Sequence, residues 1–329
     1  MSEISTDGQE HEDYFDNVKG LLIFTVVLGH AFEYYTKTSG AMRFVHTIVY
    51  SFHMPLFIFI SGYFSKNVDK ARSKVLERLL IPYLIFDIFF SITQYYVTGE
   101  NRINILIPTF AFWYLLALSW YRIFIKDLSR IRFIIPISFL ISILSVHFSS
   151  ISSYLALDRT LAFFPFFLLG FYCTRDRILY LRKIKSRYFV LLGLVVCTLV
   201  LMEQLYTNGI TSVLLSQTMQ LILAFIFGMI VLNVVSTKKN ILTNVGRNSM
   251  IIFLGHGFIN GLIRVVNPFV HNSFINFIFL LVFSVVVTLL LSTKIFEKTY
   301  DTMLNAICRV ALINQKEDKR LSSSLTKSQ

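Results

Sequence analysis

The chain has 329 residues, of which 55% are hydrophobic and only 15% charged, about ten points less charge than a soluble domain usually carries. Its mean hydropathy of +0.63 excludes an ordinary soluble globular protein, and its apolar content excludes disorder. Basic residues outnumber acidic ones by 31 to 19. In so apolar a chain this excess favours membrane orientation over nucleic-acid binding, so we expect no nucleic-acid partner.

Ten apolar segments are candidates for membrane-spanning helices, each of which needs about 20 mostly apolar residues. Their approximate limits are 18–35, 44–64, 79–97, 103–121, 133–149, 157–174, 188–206, 212–235, 248–266 and 273–293. The sequence therefore predicts an all-α, polytopic membrane protein with about ten transmembrane helices, in contact with membrane lipid.

Basic residues mark one side of this predicted membrane domain. The loops after the even-numbered spans, at 66–78, 122–132, 175–187 and 238–247, hold 18 Lys and Arg, whereas the other loops hold three. The positive-inside rule then places the basic loops and both termini in the cytoplasm. An even number of spans agrees with that arrangement.

Three regions are expected. Residues 1–15 form an acidic cytoplasmic segment unlike a signal peptide, residues 16–300 form the membrane domain, and residues 301–329 form a polar cytoplasmic tail. The three cysteines are widely spaced and match no metal-binding pattern, so we predict no metal site.

Two ionisable residues in the first span suggest chemistry, because such groups are costly inside a membrane. Lys19 and His30 are eleven residues apart, about 20° beyond three full helical turns, so they share a face. They lie ~16 Å apart along the axis. A cation at the inner mouth and a base at depth suit a long anionic donor such as a coenzyme A thioester. The plainer alternatives are a snorkelling Lys19 and a His30 that only hydrogen-bonds another helix.

Glu33 follows His30 by three residues and is therefore its neighbour on the helix. A carboxylate in that position fixes the tautomer of the imidazole and raises its basicity, as in hydrolytic triads. A solvated, interfacial Glu33 is the alternative, and the sequence leaves both open.

Four segments occur along the chain in an order that is typical of one family: 16-DNVKGLLIFTVVLGH-30, 52-FHMPLFIFISGYF-64, 159-RTLAFFPFFLLG-170 and 244-NVGRNSMIIFLGH-256. Together with 78-RLLIPY-83 they resemble the acyltransferase-3 family of integral membrane acyltransferases, and the nearest branch is the fucose 4-O-acetylase-like group. The resemblance covers about residues 14–300. It implies ten core spans and transfer of an acyl group, usually acetyl, from cytoplasmic acetyl-CoA to a glycan hydroxyl.

The resemblance also implies residue roles. The family's motif of a basic residue, ten further residues and a histidine falls on Lys19 and His30. Many members carry arginine at the first position. Its Ser-Gly pair falls on Ser61 and Gly62, and its following basic element on Arg78. His30 is then the general base or an acylated nucleophile, Glu33 its partner, and Lys19, Ser61 and Arg78 bind the donor. Lysine lacks the bidentate phosphate binding of arginine.

Four further residues are candidates for acceptor binding or for stabilising the oxyanion: His53, Trp113, Arg159 and His256. Each has a structural alternative. The histidines can bridge helices, Trp113 can belong to an aromatic belt, and Arg159 can pair with Asp158, Glu33 or Glu203.

We therefore expect an O-acetyltransferase of the bacterial plasma membrane that acts on a surface polysaccharide or lipid-linked glycan, with acetyl-CoA as substrate and no permanently bound cofactor. The alternatives are a polysaccharide exporter or flippase without acyltransferase activity, and a scaffold for a glycan synthase. The sequence leaves the acylated sugar and the oligomeric state open.

Overall fold

The computed structural model describes residues 2–99, 104–145, 154–206, 213–267 and 272–311. Within these ranges every regular element is helical, which confirms the predicted all-α class. The first half contains α1 (Ser2–Glu33), α2 (Gly40–Tyr63), α3 (Val68–Ser73), α4 (Ile81–Thr98), α5 (Trp113–Leu128), α6 (Ile134–Ser145) and α7 (Leu157–Tyr172). The second half contains α8 (Arg175–Lys183), α9 (Ser186–Tyr206), α10 (Val213–Val234), α11 (Ile241–Arg247), α12 (Ser249–Val266), α13 (Ser273–Leu291) and α14 (Lys294–Ala311).

Each of the ten predicted segments contains a helix. Four helical stretches in the described ranges are long and apolar enough to cross a membrane: His11–Glu33, Gly40–Tyr63, Tyr154–Tyr172 and Ser273–Leu291. Four shorter apolar helices, Ile134–Ser145, Ser186–Val196, Thr218–Val234 and Ser249–Ile263, accompany them. These helices make the chain a membrane protein. A total of ten spans and a cytoplasmic location for both termini stay predictions.

Helix α1 occupies the centre of the bundle. In its most apolar window 72% of the residues are buried, compared with 33% in α13. The helix runs without interruption from Ser2, so the acidic N-terminal residues continue directly into the first predicted span. At the other end of the chain, α14 extends to Ala311 and takes in the first part of the predicted polar tail.

The fourth predicted span, 103–121, is wrong in its first half, since residues 104–112 form turns and helix α5 begins at Trp113. The carboxylate of Asp87 accepts hydrogen bonds from the backbone N–H and the hydroxyl of Thr109, both at 2.7 Å. The next residue, Phe110, has a left-handed backbone with φ of 50°. Side-chain hydrogen bonds of this kind compete with helical ones and hold the irregular backbone in place.

Helices α1 and α11 cross at two glycines. A Cβ on Gly20 would overlap the carbonyl oxygen of Leu242, and a Cβ on Gly246 would overlap that of Asp16. Polar contacts fix the crossing further, because the Thr243 hydroxyl donates to Asn17 Oδ1 at 2.6 Å. Segments 16–30 and 244–256, which carry the family resemblance, are therefore packing partners.

A second crossing joins α2 and α7 in the same way. A Cβ on Gly62 would overlap the carbonyl oxygen of Phe167, and a Cβ on Gly170 would overlap that of Phe59. The other two resembling segments, 52–64 and 159–170, thus form the second close pair. The two residues of the Ser-Gly sequence in α2 have different roles. Gly62 allows α2 and α7 to approach closely, and Ser61 lines a cavity.

The basic loops lie together at one end of the bundle. Lys126 forms an ion pair with Asp69 at 2.8 Å, and Lys66 donates to the carbonyl oxygen of Cys173 at 2.5 Å. Arg182 donates to the carbonyl oxygen of Val235 at 2.7 Å. We call this the basic end; it is the end that the sequence predicts to be cytoplasmic.

Candidate active site

Two cavities lie along α1, one beside Lys19 and the other beside His30. The first, which we call the Lys19 cavity, has a volume of about 370 Å³ and brings the three predicted donor-binding residues together. Two further arginines complete its basic lining. The five residues are Lys19, Ser61, Arg78, Arg122 and Arg247. Four cationic side chains around one cavity suit a ligand that carries several negative charges.

The second cavity, which we call the His30 cavity, has a volume of about 540 Å³. It brings together five of the residues predicted for catalysis or acceptor binding: His30, Glu33, His53, Trp113 and Arg159. His256 lies behind this wall, fully buried, with its ring centroid 5.3 Å from that of His30. The sequence thus anticipated most of this cluster.

His30 forms a hydrogen-bonded group with Glu33 and Tyr50. Its Nδ1 lies 3.1 Å from Glu33 Oε2 and 2.8 Å from the Tyr50 hydroxyl, which itself donates to Glu33 at 3.1 Å. Because the tyrosine proton goes to the carboxylate, Nδ1 of His30 must be the nitrogen that carries hydrogen. The other nitrogen, Nε2, then keeps its lone pair. Such an arrangement orients an imidazole for use as a base.

The other two histidines are held in the same tautomer. Nδ1 of His53 lies 2.5 Å from the carbonyl oxygen of Val49, and Nδ1 of His256 lies 2.8 Å from that of Phe253. A carbonyl oxygen only accepts, so Nδ1 carries hydrogen in both rings and Nε2 accepts. A neutral ring in this state cannot donate from Nε2 to an oxyanion, which makes these histidines poor candidates for that role.

Arg159 supplies hydrogen-bond donors at the His30 cavity. Its guanidinium lies 4.9 Å from the centre of the Trp113 ring, in a cation–π contact, and it pairs with no carboxylate in the described part of the chain. The indole also stacks on Phe163 at 5.4 Å. Trp113 therefore supports Arg159, and the guanidinium remains available to an oxygen in the cavity.

At the basic end, acidic residues of α1 hold two of the cations. Lys19 Nζ lies 2.7 Å from Asp16, and Arg247 bonds both Asp16 at 3.0 Å and Asp13 at 2.7 Å. The hydrogen bond to Asp16 raises the pKa of Arg247, so its guanidinium stays charged. Asp16 thus fixes both cations beside the Lys19 cavity.

Arg122 is the cation that most needs a ligand. Its Nε is buried and has no hydrogen-bond partner in the ranges that the structure describes. Leaving a buried polar group without a partner is unfavourable, so an anion in the Lys19 cavity would complete it. The sequence identified Arg122 and Arg247 only as orientation signals.

Helix α14 contributes Glu297, Tyr300 and Asp301 to the lining of the Lys19 cavity. Burial raises the pKa of Tyr300 to about 12, so its hydroxyl stays neutral and adds no negative charge. The charged lining of the Lys19 cavity thus consists of four cations and the two carboxylates of α14, and Asp13 and Asp16 pair with two of those cations. No group of three or more His, Cys, Asp or Glu in the described ranges is placed to hold a metal ion.

This helical bundle, with a cationic cavity and a histidine–carboxylate group in a second cavity, has the features of an integral membrane transferase. The chain matches the Acyl_transf_3 model, described as an acyltransferase domain, over residues 12–293, and it belongs to that family. No curated protein and no solved structure matches it.

Proposed function

We propose that this protein is a membrane O-acyltransferase of the fucose 4-O-acetylase-like branch. It transfers an acetyl group from cytoplasmic acetyl-CoA to a hydroxyl of a cell-surface glycan or its lipid-linked precursor in a bacterial plasma membrane. The observation that carries this proposal is the pair of cavities along α1. One is lined by four cations, and the other contains the His30, Glu33 and Tyr50 group.

The Lys19 cavity is the proposed donor site. The phosphates of coenzyme A bind Lys19, Arg78, Arg122 and Arg247, and the adenine end remains towards the basic end of the bundle. Ser61, whose hydroxyl lies 3.1 Å from that of Tyr114, offers a further polar contact in the cavity. The thioester then extends along α1 towards His30.

The proposed reaction is a direct transfer. Nε2 of His30 removes the proton of the acceptor hydroxyl while that oxygen attacks the thioester carbonyl carbon. The tetrahedral intermediate collapses, the carbon–sulfur bond breaks, and the departing thiolate takes the proton back from His30. Glu33 stabilises the imidazolium during the interval. Acylation of His30 itself, followed by transfer to the hydroxyl, is the covalent version of the same chemistry.

Arg159 is the proposed donor to the oxyanion or to the acceptor sugar. It lines the His30 cavity and has guanidinium hydrogens that its cation–π contact with Trp113 does not use. His53 is better suited to accept a hydrogen bond from a sugar hydroxyl, because its Nδ1 already donates to a backbone carbonyl. His256, buried behind the cavity wall, supports the His30 ring.

The decisive experiment is mass spectrometry of surface glycan from cells that make the wild type, His30→Ala, His11→Ala or no protein. His11 is a matched control because it lies on the same helix, outside both cavities. We expect acetylated glycan with the wild type and His11→Ala, and loss of acetylation with His30→Ala at equal protein levels in the membrane.

The same experiment separates the enzyme from an exporter. If glycan is never acylated, and reaches the surface only when the protein is present, the chain is an exporter or flippase. Unchanged acetylation in His30→Ala would remove His30 from the mechanism while leaving the acyltransferase assignment in place.

A further inference from the structure

Met54 is the one side chain shared by the two cavities along α1 among the residues that line them. It lies on α2 and is 7% exposed, so it fills space between the cavities. Residues close to Met54 on α2 line one cavity or the other. His53 lines the His30 cavity, and Phe57, one turn later, lines the Lys19 cavity.

The position of Met54 matters because the proposed donor site and the proposed base are separated. Eleven residues of continuous helix place Lys19 and His30 ~16 Å apart along α1. A donor whose phosphates stay in the Lys19 cavity must therefore extend its thioester past Met54 to meet the imidazole.

Aromatic side chains bound the space on both sides of Met54. On the Lys19 side, Tyr114 packs on Phe253 with a ring-centroid distance of 5.4 Å. On the His30 side, Phe110 lies 4.4 Å from the His30 ring and stacks on Phe90 at 5.1 Å. The Phe110 ring also lies 5.2 Å from that of His256, so it is packed among other rings.

Methionine differs from these neighbours because it is unbranched and has three rotatable bonds. The Met54 side chain can therefore move aside without displacing a packed ring. A short acyl group then fits the space that the Met54 side chain leaves, whereas a longer chain needs more room than this displacement provides.

We propose that the Met54 side chain occupies the passage of the acyl thioester from the Lys19 cavity to the His30 cavity, and that it limits the length of the acyl group delivered to His30. This inference rests on the proposed acyltransferase function and makes Met54 a specificity-determining residue. Met54→Ala widens the passage, and Met54→Phe narrows it with a ring that cannot bend away.

The test uses the full-length protein in lipid nanodiscs with acetyl-CoA, butyryl-CoA or hexanoyl-CoA as donor and cell-envelope glycan as acceptor. Transfer is followed by release of free CoA thiol and by the mass of the acylated glycan, and donor binding by calorimetry. The variants are Met54→Ala, Met54→Leu and Met54→Phe. Leu56→Ala is the matched control, since Leu56 is buried on the same helix but lines neither cavity.

We expect Met54→Ala to raise the hexanoyl-to-acetyl rate ratio by at least about tenfold, a usual effect of changing the fit of one or more methylenes. Met54→Leu and Leu56→Ala should keep the wild-type ratio. Met54→Phe should lower acetyl transfer by a similar factor with the affinity for acetyl-CoA unchanged.

Two negative results are distinguishable. If Met54→Ala transfers acetyl normally and its ratio equals that of the wild type, Met54 does not set acyl length and the proposed function still stands. If the wild type neither binds nor consumes any acyl-CoA, both the function and this inference are wrong. Because acetyl-CoA binding requires the folded protein, calorimetry on Met54→Phe shows whether its loss of transfer comes from misfolding or from the narrowed passage.

Discussion

The hydroxyl of Tyr50 determines which nitrogen of His30 is free to act. It donates to Glu33 and accepts from Nδ1 of His30, so the three groups fix one tautomer together. Tyr50 precedes His53 by three residues and shares its helix face, a pattern present in the sequence but not sufficient to show that it meets His30. The Tyr50–His30 contact depends on how α1 and α2 pack.

Replacing members of this group should lower turnover without weakening donor binding. We expect Glu33→Gln to reduce kcat by about 10²-fold, because the charge that stabilises the imidazolium is lost. Tyr50→Phe removes the two hydrogen bonds of the hydroxyl, to His30 and to the Glu33 carboxylate, while Glu33 keeps its own contact with Nδ1. A loss of ~1–2 kcal/mol should reduce kcat by about 5- to 30-fold. Initial rates over a range of acetyl-CoA concentrations give kcat and the half-saturating acetyl-CoA concentration.

The exposed Tyr96→Phe serves as the control for this series, since that side chain is 82% exposed and lines neither cavity. A rise in the half-saturating acetyl-CoA concentration at full kcat would contradict the assignment of Glu33 and Tyr50 to the chemical step.

At the scale of single residues, sequence reasoning could relate the positions of candidate residues that are close in the chain. Lys19, His30 and Glu33 lie on one helix, so helical geometry relates them directly. Arg247 donates to Asp16, which lies 231 positions away in the sequence, so no local sequence pattern predicts that pairing. A basic residue near a predicted span is first explained by orientation, which is why Arg122 and Arg247 were missed.

At the scale of elements, the two glycine crossings explain why the four resembling segments occur together. Gly20 and Gly246 bring α1 against α11, while Gly62 and Gly170 bring α2 against α7. Small residues that allow backbones to approach are a common basis of helix packing in membranes. The crossings place Lys19, Ser61 and Arg247 around a single cavity.

Adding a methyl group at a crossing should destabilise the bundle. We expect Gly246→Ala to lower the free energy of unfolding by ~1–3 kcal/mol, because the backbones must separate. Thermal unfolding in detergent, followed by tryptophan fluorescence, measures the change.

Gly261→Ala is the matched control. Gly261 lies within α12, and a Cβ there meets nothing within 4 Å, so this substitution should be neutral or raise stability by up to about 1 kcal/mol. Equal effects of the two substitutions would show that the α1–α11 crossing does not limit stability.

The prediction of helices failed most clearly at residues 104–112. The apolar composition of this stretch suggested a membrane span, but Pro108 lacks a backbone N–H and Thr109 is bonded to Asp87. Irregular backbone is tolerated at membrane depth where it lines a cavity. Here Phe110 and Ala111 line the His30 cavity, so the irregular backbone that made the helix prediction wrong also helps to form the candidate site.

At the scale of the whole molecule, the order of helices was predictable, whereas their arrangement was not. Apolar length and basic loops are local properties, and they located a helix in each predicted segment. The central position of α1 and the division of the interior into two cavities come from contacts between distant helices. The clustering of the basic loops agrees with a common side but does not by itself identify that side.

Cysteine labelling would establish the sidedness. In a chain whose three native cysteines are replaced, Val310→Cys on α14 and Tyr96→Cys near the end of α4 supply exposed positions, 90% and 82% exposed in the wild type. With intact cells and an impermeant maleimide, we expect labelling at position 96 and protection at position 310. Labelling at both after lysis is the control, and the reverse pattern would invert the predicted orientation.

The unbroken helix α1 fixes the distance between Lys19, near its middle, and His30, near its C-terminal end. A ligand that contacts Lys19 with its anionic group and His30 with its acyl carbon needs a connecting arm of ~16 Å. The pantetheine arm of coenzyme A is such a connector. Acetyl phosphate joins the acyl group directly to the phosphate and cannot reach both, so under the proposed mechanism the spacing of Lys19 and His30 would favour a donor with such an arm.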